Sequence, residues 1–264
     1  KSRGLGDVYK RQTIDSIKPS SDIIKTSPDT VRSTNSGPVI GIEGEEGIHK
    51  WLGIPYADPP IEKLRWKAPR NVSSWDKVYE ATSFASPCVQ IQSSLTGAGL
   101  AKPGDIVGNE DCLYLNIYAP AYKINSVPNE NNKLPVMVWI HGGGNTSGMT
   151  SEYNPQKLVA SQNVIVVTIS YRLGIFGWFS HPELRNRSNG LDASANFGLL
   201  DQIKALEWLR NNIENFGGDK NNITIFGESA GGQNVIALYV SPIAKGLFHR
   251  AISQSGGITL TSIA

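Results

Sequence analysis

Ile223-Thr224-Ile225-Phe226-Gly227-Glu228-Ser229-Ala230-Gly231-Gly232 sets a serine at the junction of two patterns. Before it, Asn222 to Phe226 is an apolar, β-branched run that reads as a strand; after it, Gly231 to Val240 fits a helix. A serine hydroxyl is a poor nucleophile until it is exposed beside a base. A sharp strand-to-helix turn exposes it, and small residues two before and two after relieve the crowding. The helix N-terminus also favours the negative charge that develops in acyl transfer. Gly227 to Gly231 alone fits a plainer reading as well, an N-cap serine in a glycine turn.

A second motif stands upstream. His141-Gly142-Gly143-Gly144 follows Leu134–Ile140, a nearly unbroken apolar run that reads as another strand. Three glycines let the backbone approach a ligand and aim successive N–H groups into one space, as an oxyanion hole requires. A flexible turn would explain the glycines, but not their place behind a strand and ahead of a nucleophile turn. The two motifs in this order point to a serine hydrolase.

Outward from these motifs the chain alternates strand and helix. Leu113 to Tyr118 and Asn163 to Ser170 read as strands. Asn196 to Asn215 reads as a helix with Leu199, Ile203, Leu206, Leu209 and Ile213 on one stripe, ended by Phe216-Gly217-Gly218. Phe248 to Ser253 is a further strand candidate. Continuous Val/Ile runs predict strands covered on both faces, hence an α/β fold with a mostly parallel central sheet and helices on both sides. Val39 to Ile42 and Lys50 to Ile54 suggest an N-terminal hairpin, and a proline-broken irregular stretch follows. Residues 1–37 are polar and without period, so they are expected to be disordered or peripheral, and residues 1–12 resemble translated adaptor. Residues 38–264 show no internal boundary and are expected to belong to one domain.

Composition narrows the function. Lys1, Arg3, Lys10 and Arg11 against Asp7 put residues 1–12 at +3, so the other 252 residues carry −1 of the net +2. No basic patch with interleaved aromatics remains, which argues against nucleic-acid binding. No apolar run is long enough to span a bilayer. No Cys/His cluster has metal-ligand spacing, so neither metal nor organic cofactor is expected. Cys88 and Cys112 enclose residues 89–111 and could be two free core thiols or a pair.

The motifs resemble the type-B carboxylesterase and cholinesterase family, which has the α/β-hydrolase fold. Gly53-Ile54-Pro55-Tyr56-Ala57, Leu64-Arg65-Trp66, Asn109 to Asn116, Ser170 to Gly174, Asn196 to Gln202, Gly227 to Gly232 and Gly246 to Ile252 carry the likeness, over roughly Pro38 to Gly257. The resemblance implies a small-molecule carboxylic ester as substrate and Ser229 as nucleophile. It implies an oxyanion hole from the N–H groups of Gly143, Gly144 and Ala230, with Glu228 lining the gorge. It pairs Cys88 with Cys112 in a disulfide, and hence suggests secretion, a periplasm or a cell surface. It makes Arg65–Glu110 and Arg172–Asp201 structural ion pairs. Asn145 stands where many relatives carry an aromatic, which implies a more polar pocket. Residues 89–111 hold no aromatic, whereas cholinesterases place an aromatic face in that loop to hold a quaternary ammonium by cation–π attraction. Choline esters are therefore not expected.

The triad order of this fold is serine, acid, histidine. The 35 residues after Ser229 contain no Asp or Glu, and their one histidine, His249, falls in a segment that reads as structural. The expectation is that these 264 residues are the N-terminal half of a longer enzyme, inactive alone, with acid and histidine elsewhere. The rival reading is a non-catalytic adhesion or binding relative; those commonly lose the serine, and Ser229 is intact.

Overall fold

The computed structural model of the chain describes residues 26–93 and 101–257. Along the chain the strands begin with β1 (Arg32–Thr34), β2 (Gly37–Ile40), β3 (Ile42–Glu43), β4 (Ile48–Pro55), β5 (Tyr79–Glu80), β6 (Gln90–Ile91) and β7 (Ile106–Val107). They continue with β8 (Tyr114–Pro120), β9 (Leu134–Ile140), β10 (Ile165–Ile169), β11 (Gly218–Glu228) and β12 (Arg250–Gln254). The α-helices are α1 (Gln156–Gln162), α2 (Gly174–Trp178), α3 (Pro182–Asn186), α4 (Phe197–Asn212) and α5 (Ala230–Val240).

Seven strands form one sheet in the order β12-β11-β9-β10-β8-β4-β3. The joins β12–β11, β11–β9 and β9–β10 are parallel, each strand reached through a connection that carries a helix. The joins β10–β8, β8–β4 and β4–β3 are antiparallel. The sheet is thus mixed. Its parallel half holds both glycine motifs. Of the expected N-terminal hairpin only Ile42 pairs with Lys50, as β3–β4 in the antiparallel half, whereas Val39 and Ile40 belong to β2 in a separate sheet with β1 and β5. This is the α/β-hydrolase arrangement.

β10 is buried at every position, as its unbroken Ile-Val-Val-Thr-Ile run predicts. In β9, Leu134, Val136, Val138 and Ile140 are buried on one face, while Met137 and Trp139 are half-covered on the other. α4 buries Ile203, Leu206 and Leu209, and Ile213 follows into a 3-10 turn closed by Gly217 in the left-handed region. β12 has one neighbour and every residue of it is exposed. Beside it Tyr239, Val240 and Ile243 are exposed apolar residues.

The N-terminal expectation needs correcting over its last residues. Residues 1–25, including the adaptor-like stretch, lie outside the described residues, but Ser27, Thr30 and Arg32 are buried. The Thr30 hydroxyl donates to the Ser27 and Gly41 carbonyls at 2.6 and 2.9 Å, and the Arg32 guanidinium lies over the Trp51 ring at 5.1 Å. These polar residues are inside because backbone acceptors and an aromatic face receive them, which periodicity does not report. Cys88 and Cys112 form a disulfide with Cα atoms 5.0 Å apart.

Candidate active site

Strands β9 and β11 are parallel neighbours with Ile140 opposite Gly227, so both end together at the carboxyl edge of the sheet. That register alone brings His141–Gly144 beside Ser229. In an open α/β sheet, ligands bind at this edge.

Ser229 has φ 55° and ψ −122°, a strained conformation for a residue with a side chain. The surroundings hold it there: its N–H donates to the Gln254 carbonyl at 2.9 Å, and its carbonyl accepts from Gln233 N–H at 3.0 Å. Ser229 occupies the N-cap position of α5, yet its hydroxyl makes no capping bond. The plain N-cap reading therefore fails, and the hydroxyl is left for other chemistry. The need for glycine on either side is steric. A Cβ on Gly231 would stand 2.1 Å from the Ile140 carbonyl oxygen, and one on Gly227 would stand 2.6 Å from the same atom.

The triple-glycine loop lies directly on this turn. A Cβ on Gly142 would meet the Glu228 carbonyl oxygen at 2.8 Å and the Ser229 Cβ at 3.3 Å. Gly143 and Gly144 have φ of +96° and +64°. The Gly143 carbonyl accepts from the N–H groups of Thr146 and Ser147 at 3.1 and 3.0 Å, which turns the loop back on itself. Among the described residues, the N–H groups of Gly143, Gly144 and Ala230 have no acceptor. The two segments that meet here thus carry three backbone donors and one hydroxyl without partners among the described residues, and donors held beside a serine can stabilise an oxygen that gains negative charge during attack on a carbonyl.

His141 supports the loop rather than acting as a base. It is buried, stacks on Tyr171 with ring centroids 4.4 Å apart, and its Nδ1 contacts the Gly142 carbonyl at 2.8 Å. Burial pushes its pKa down to about 4, against the opposing pull of that hydrogen bond, so the ring is neutral near pH 7. The Tyr171 hydroxyl donates to the His141 carbonyl at 2.6 Å. On the far side, the Gln90 amide exchanges two hydrogen bonds with Gly148, at 2.8 and 2.9 Å. That joins the loop to β6 inside the cysteine-closed segment.

The other histidines are elsewhere. His249 is exposed, and its Nδ1 accepts from the Ile223 N–H at 3.2 Å. Ile223 is six residues before Ser229 along β11, roughly 20 Å at the strand rise. His181 accepts from the Glu183 N–H at the start of α3, and His49 is buried edge-on to Trp51. No histidine among the described residues hydrogen-bonds Ser229. Glu228 is exposed, with its carboxylate near Gly142. Arg65 binds Glu110 through two nitrogens. Arg172 binds Asp201 at 2.7 and 2.8 Å with both side chains buried away from solvent.

One residue at the site, Asn234, was not expected from sequence. Asn145, half-buried after the third glycine, pairs its side-chain amide with that of Asn234 on α5. Eighty-nine residues separate the two, and no local signal marks Asn234, whose place one and a half helical turns past Ser229 is the only hint.

A sequence model described as the Carboxylesterase family matches residues 28–263. The para-nitrobenzyl esterase of Bacillus subtilis (strain 168) is 48% identical over 226 residues, covering 85% of this chain and 43% of its own length. The cocaine esterase of Oryctolagus cuniculus is 44% identical over 237 residues, covering 87% and 42%. Among solved structures, a thermophilic PNB esterase aligns with a TM-score of 0.75 at 44% identity, over 86% of this chain and 44% of that one. The Geobacillus stearothermophilus carboxylesterase EST55 aligns at 0.70 and 40% identity, over 84% and 43%. The chain spans about two-fifths of the length of these relatives.

Proposed function

The chain belongs to the carboxylesterase family, and from that premise we propose that the full-length protein hydrolyses carboxylic esters through an acyl-enzyme on Ser229. The observation that carries this reading is the close contact of Gly142 with the Ser229 turn, which brings together the two segments whose Gly143, Gly144 and Ala230 N–H groups have no acceptor among the described residues. Ser229 Oγ attacks the ester carbonyl as a base removes its proton. The carbonyl oxygen becomes an oxyanion held by the three amides, and the alcohol leaves with a proton. Water then attacks the acyl-serine, releasing the acid and restoring the hydroxyl. The acid and histidine that activate Ser229 are proposed to lie outside residues 1–264, so residues 1–264 alone are proposed to be inactive.

Residues 38–264 are proposed to be the N-terminal part of a single domain. The Cys88–Cys112 disulfide supports an oxidising compartment, hence secretion, a periplasm or a cell surface. Choline esters are disfavoured, because residues 89–111 offer no aromatic face to a quaternary ammonium. Labelling by a fluorophosphonate probe, alongside turnover of p-nitrophenyl esters, tests the reading. The full-length protein should label and turn over, Ser229→Ala should do neither, and residues 1–264 alone should give no turnover. An unlabelled but folded full-length protein would favour a binding role instead.

A further inference from the structure

Asn145 and Asn234 form a reciprocal amide pair: Asn234 Nδ2 donates to Asn145 Oδ1 at 2.8 Å, and Asn145 Nδ2 donates back to Asn234 Oδ1 at 3.4 Å. The two residues sit on the two halves of the candidate site. Asn145 directly follows Gly144, in the loop that carries two of the three unpaired amides. Asn234 is on α5, whose first residue, Ala230, carries the third. The backbone of Asn145 is fixed as well, since its carbonyl accepts from Gly174 N–H at 2.7 Å. Its φ of +57° lies in the left-handed region, which asparagine tolerates better than most residues. Asn234 is buried at 5% exposure beside Tyr171, whose hydroxyl holds the His141 carbonyl at the other end of the loop.

An oxyanion hole works only if its donors are held at the position the developing charge will take. Gly143 and Gly144 cannot supply that rigidity themselves, because glycine has the widest conformational freedom of any residue. Besides the turn bonds to Gly143, the loop is tied by Gln90 at Gly148, by Tyr171 at His141 and by Asn234 at Asn145. Among the described residues, only the tie at Asn145 runs side chain to side chain into the helix that presents Ser229. Burying two amides is unfavourable unless each finds a partner. Here the buried Asn234 donates a short bond to Asn145 and receives a longer one back, which favours one relative geometry of the two residues.

We propose that Asn145 and Asn234 are a positioning pair that fixes the Gly143 and Gly144 amides relative to Ser229 and Ala230, and so sets the rate of acyl transfer without binding substrate. The inference rests on the acyl-enzyme reading above. It also gives Asn145 a role turned inward to α5, beyond lining the pocket.

The test uses the full-length protein with Asn145→Gly, Asn234→Ala and the double variant. Glycine at 145 keeps the left-handed backbone accessible while removing the amide. Turnover of p-nitrophenyl esters is normalised to sites titrated by a fluorophosphonate, so that misfolded protein does not count. Each single variant should lower kcat per titrated site by about tenfold or more, as expected for displaced oxyanion donors, with KM within about twofold. The double variant should be no slower than the slower single, because either change breaks the same pair. Affinity for a trifluoromethyl ketone, which mimics the tetrahedral oxyanion, should fall in step with kcat. Unchanged kcat per site in both singles, or losses that multiply in the double, would overturn the proposal. Full turnover in Ser229→Ala would instead sink the acyl-enzyme reading, and the two failures are thereby distinct.

Discussion

Gly231 lies so close to Ile140 that a Cβ on the glycine would stand 2.1 Å from the Ile140 carbonyl oxygen and 2.8 Å from that of His141. Both obstacles are backbone atoms at the end of β9, so no rotamer change relieves them. Two opposing effects follow from Gly231→Ala. Alanine gains about 1 kcal/mol of helix propensity over glycine, while overpacking against fixed backbone costs about 3 kcal/mol or more. The clash wins. Gly231→Ala should therefore lower the melting temperature of the full-length protein and displace α5 from β9, reducing fluorophosphonate labelling. An unchanged melting temperature would show that the strand end yields.

The buried Arg172–Asp201 pair gives a second expectation. Asp201 accepts from three Arg172 donors, Nε, Nη2 and the backbone N–H, at 2.7 to 3.0 Å. Asp201→Asn keeps the volume but leaves a buried guanidinium uncompensated, at a cost of about 3–5 kcal/mol. Chemical denaturation should show a loss of that size; less than about 1 kcal/mol would mean that Arg172 finds another partner.

Removing the disulfide should destabilise by relaxing the unfolded chain. Loop-closure entropy for the segment between Cys88 and Cys112 predicts about 3.5 kcal/mol. The double variant Cys88→Ala/Cys112→Ala avoids placing polar groups at two buried sites. Its urea midpoint should fall, and reductant should shift the parent protein but not the variant.

His141 predicts how stability changes with pH. Its folded pKa is about 4, against an ordinary value of 6.5 in the unfolded chain. Between these values the unfolded state holds a proton that the folded state lacks, so stability rises with pH across the window. It is therefore lost as pH falls from about 6.5 towards 4, by about 3 kcal/mol in total. Burial lowers the pKa of His49 too, which adds a contribution of the same sign. Glu214, held low by Lys133 and Lys220, loses its contribution only at more acid pH. Urea midpoints at pH 7.5, 6 and 5 should decline in that order, and a flat profile would contradict a buried neutral His141.

Much of the site was readable because its signals are local. The strand ending at Ile140, the three glycines after it and the serine between Glu228 and Ala230 are each defined by neighbours in sequence. Chain order then predicts that the two motifs meet. Other features were not readable, because distant partners decide them. Thr30 and Arg32 look peripheral until Gly41 and Trp51 arrive to receive them. The antiparallel half of the sheet depends on which strands β8 chooses as neighbours, and Asn234 gains meaning only from Asn145.

The sequence by itself determined the family, because the triple-glycine and Gly-x-Ser-x-Gly motifs are short and carry their backbone requirements in their own residue types. Tertiary structure decided how the parts are held: the Ile140–Gly227 register, the buried neutral state of His141 and the amide pair across the site. Those depend on close approach between residues far apart in the chain, where a few tenths of an ångström separate a packed contact from a clash.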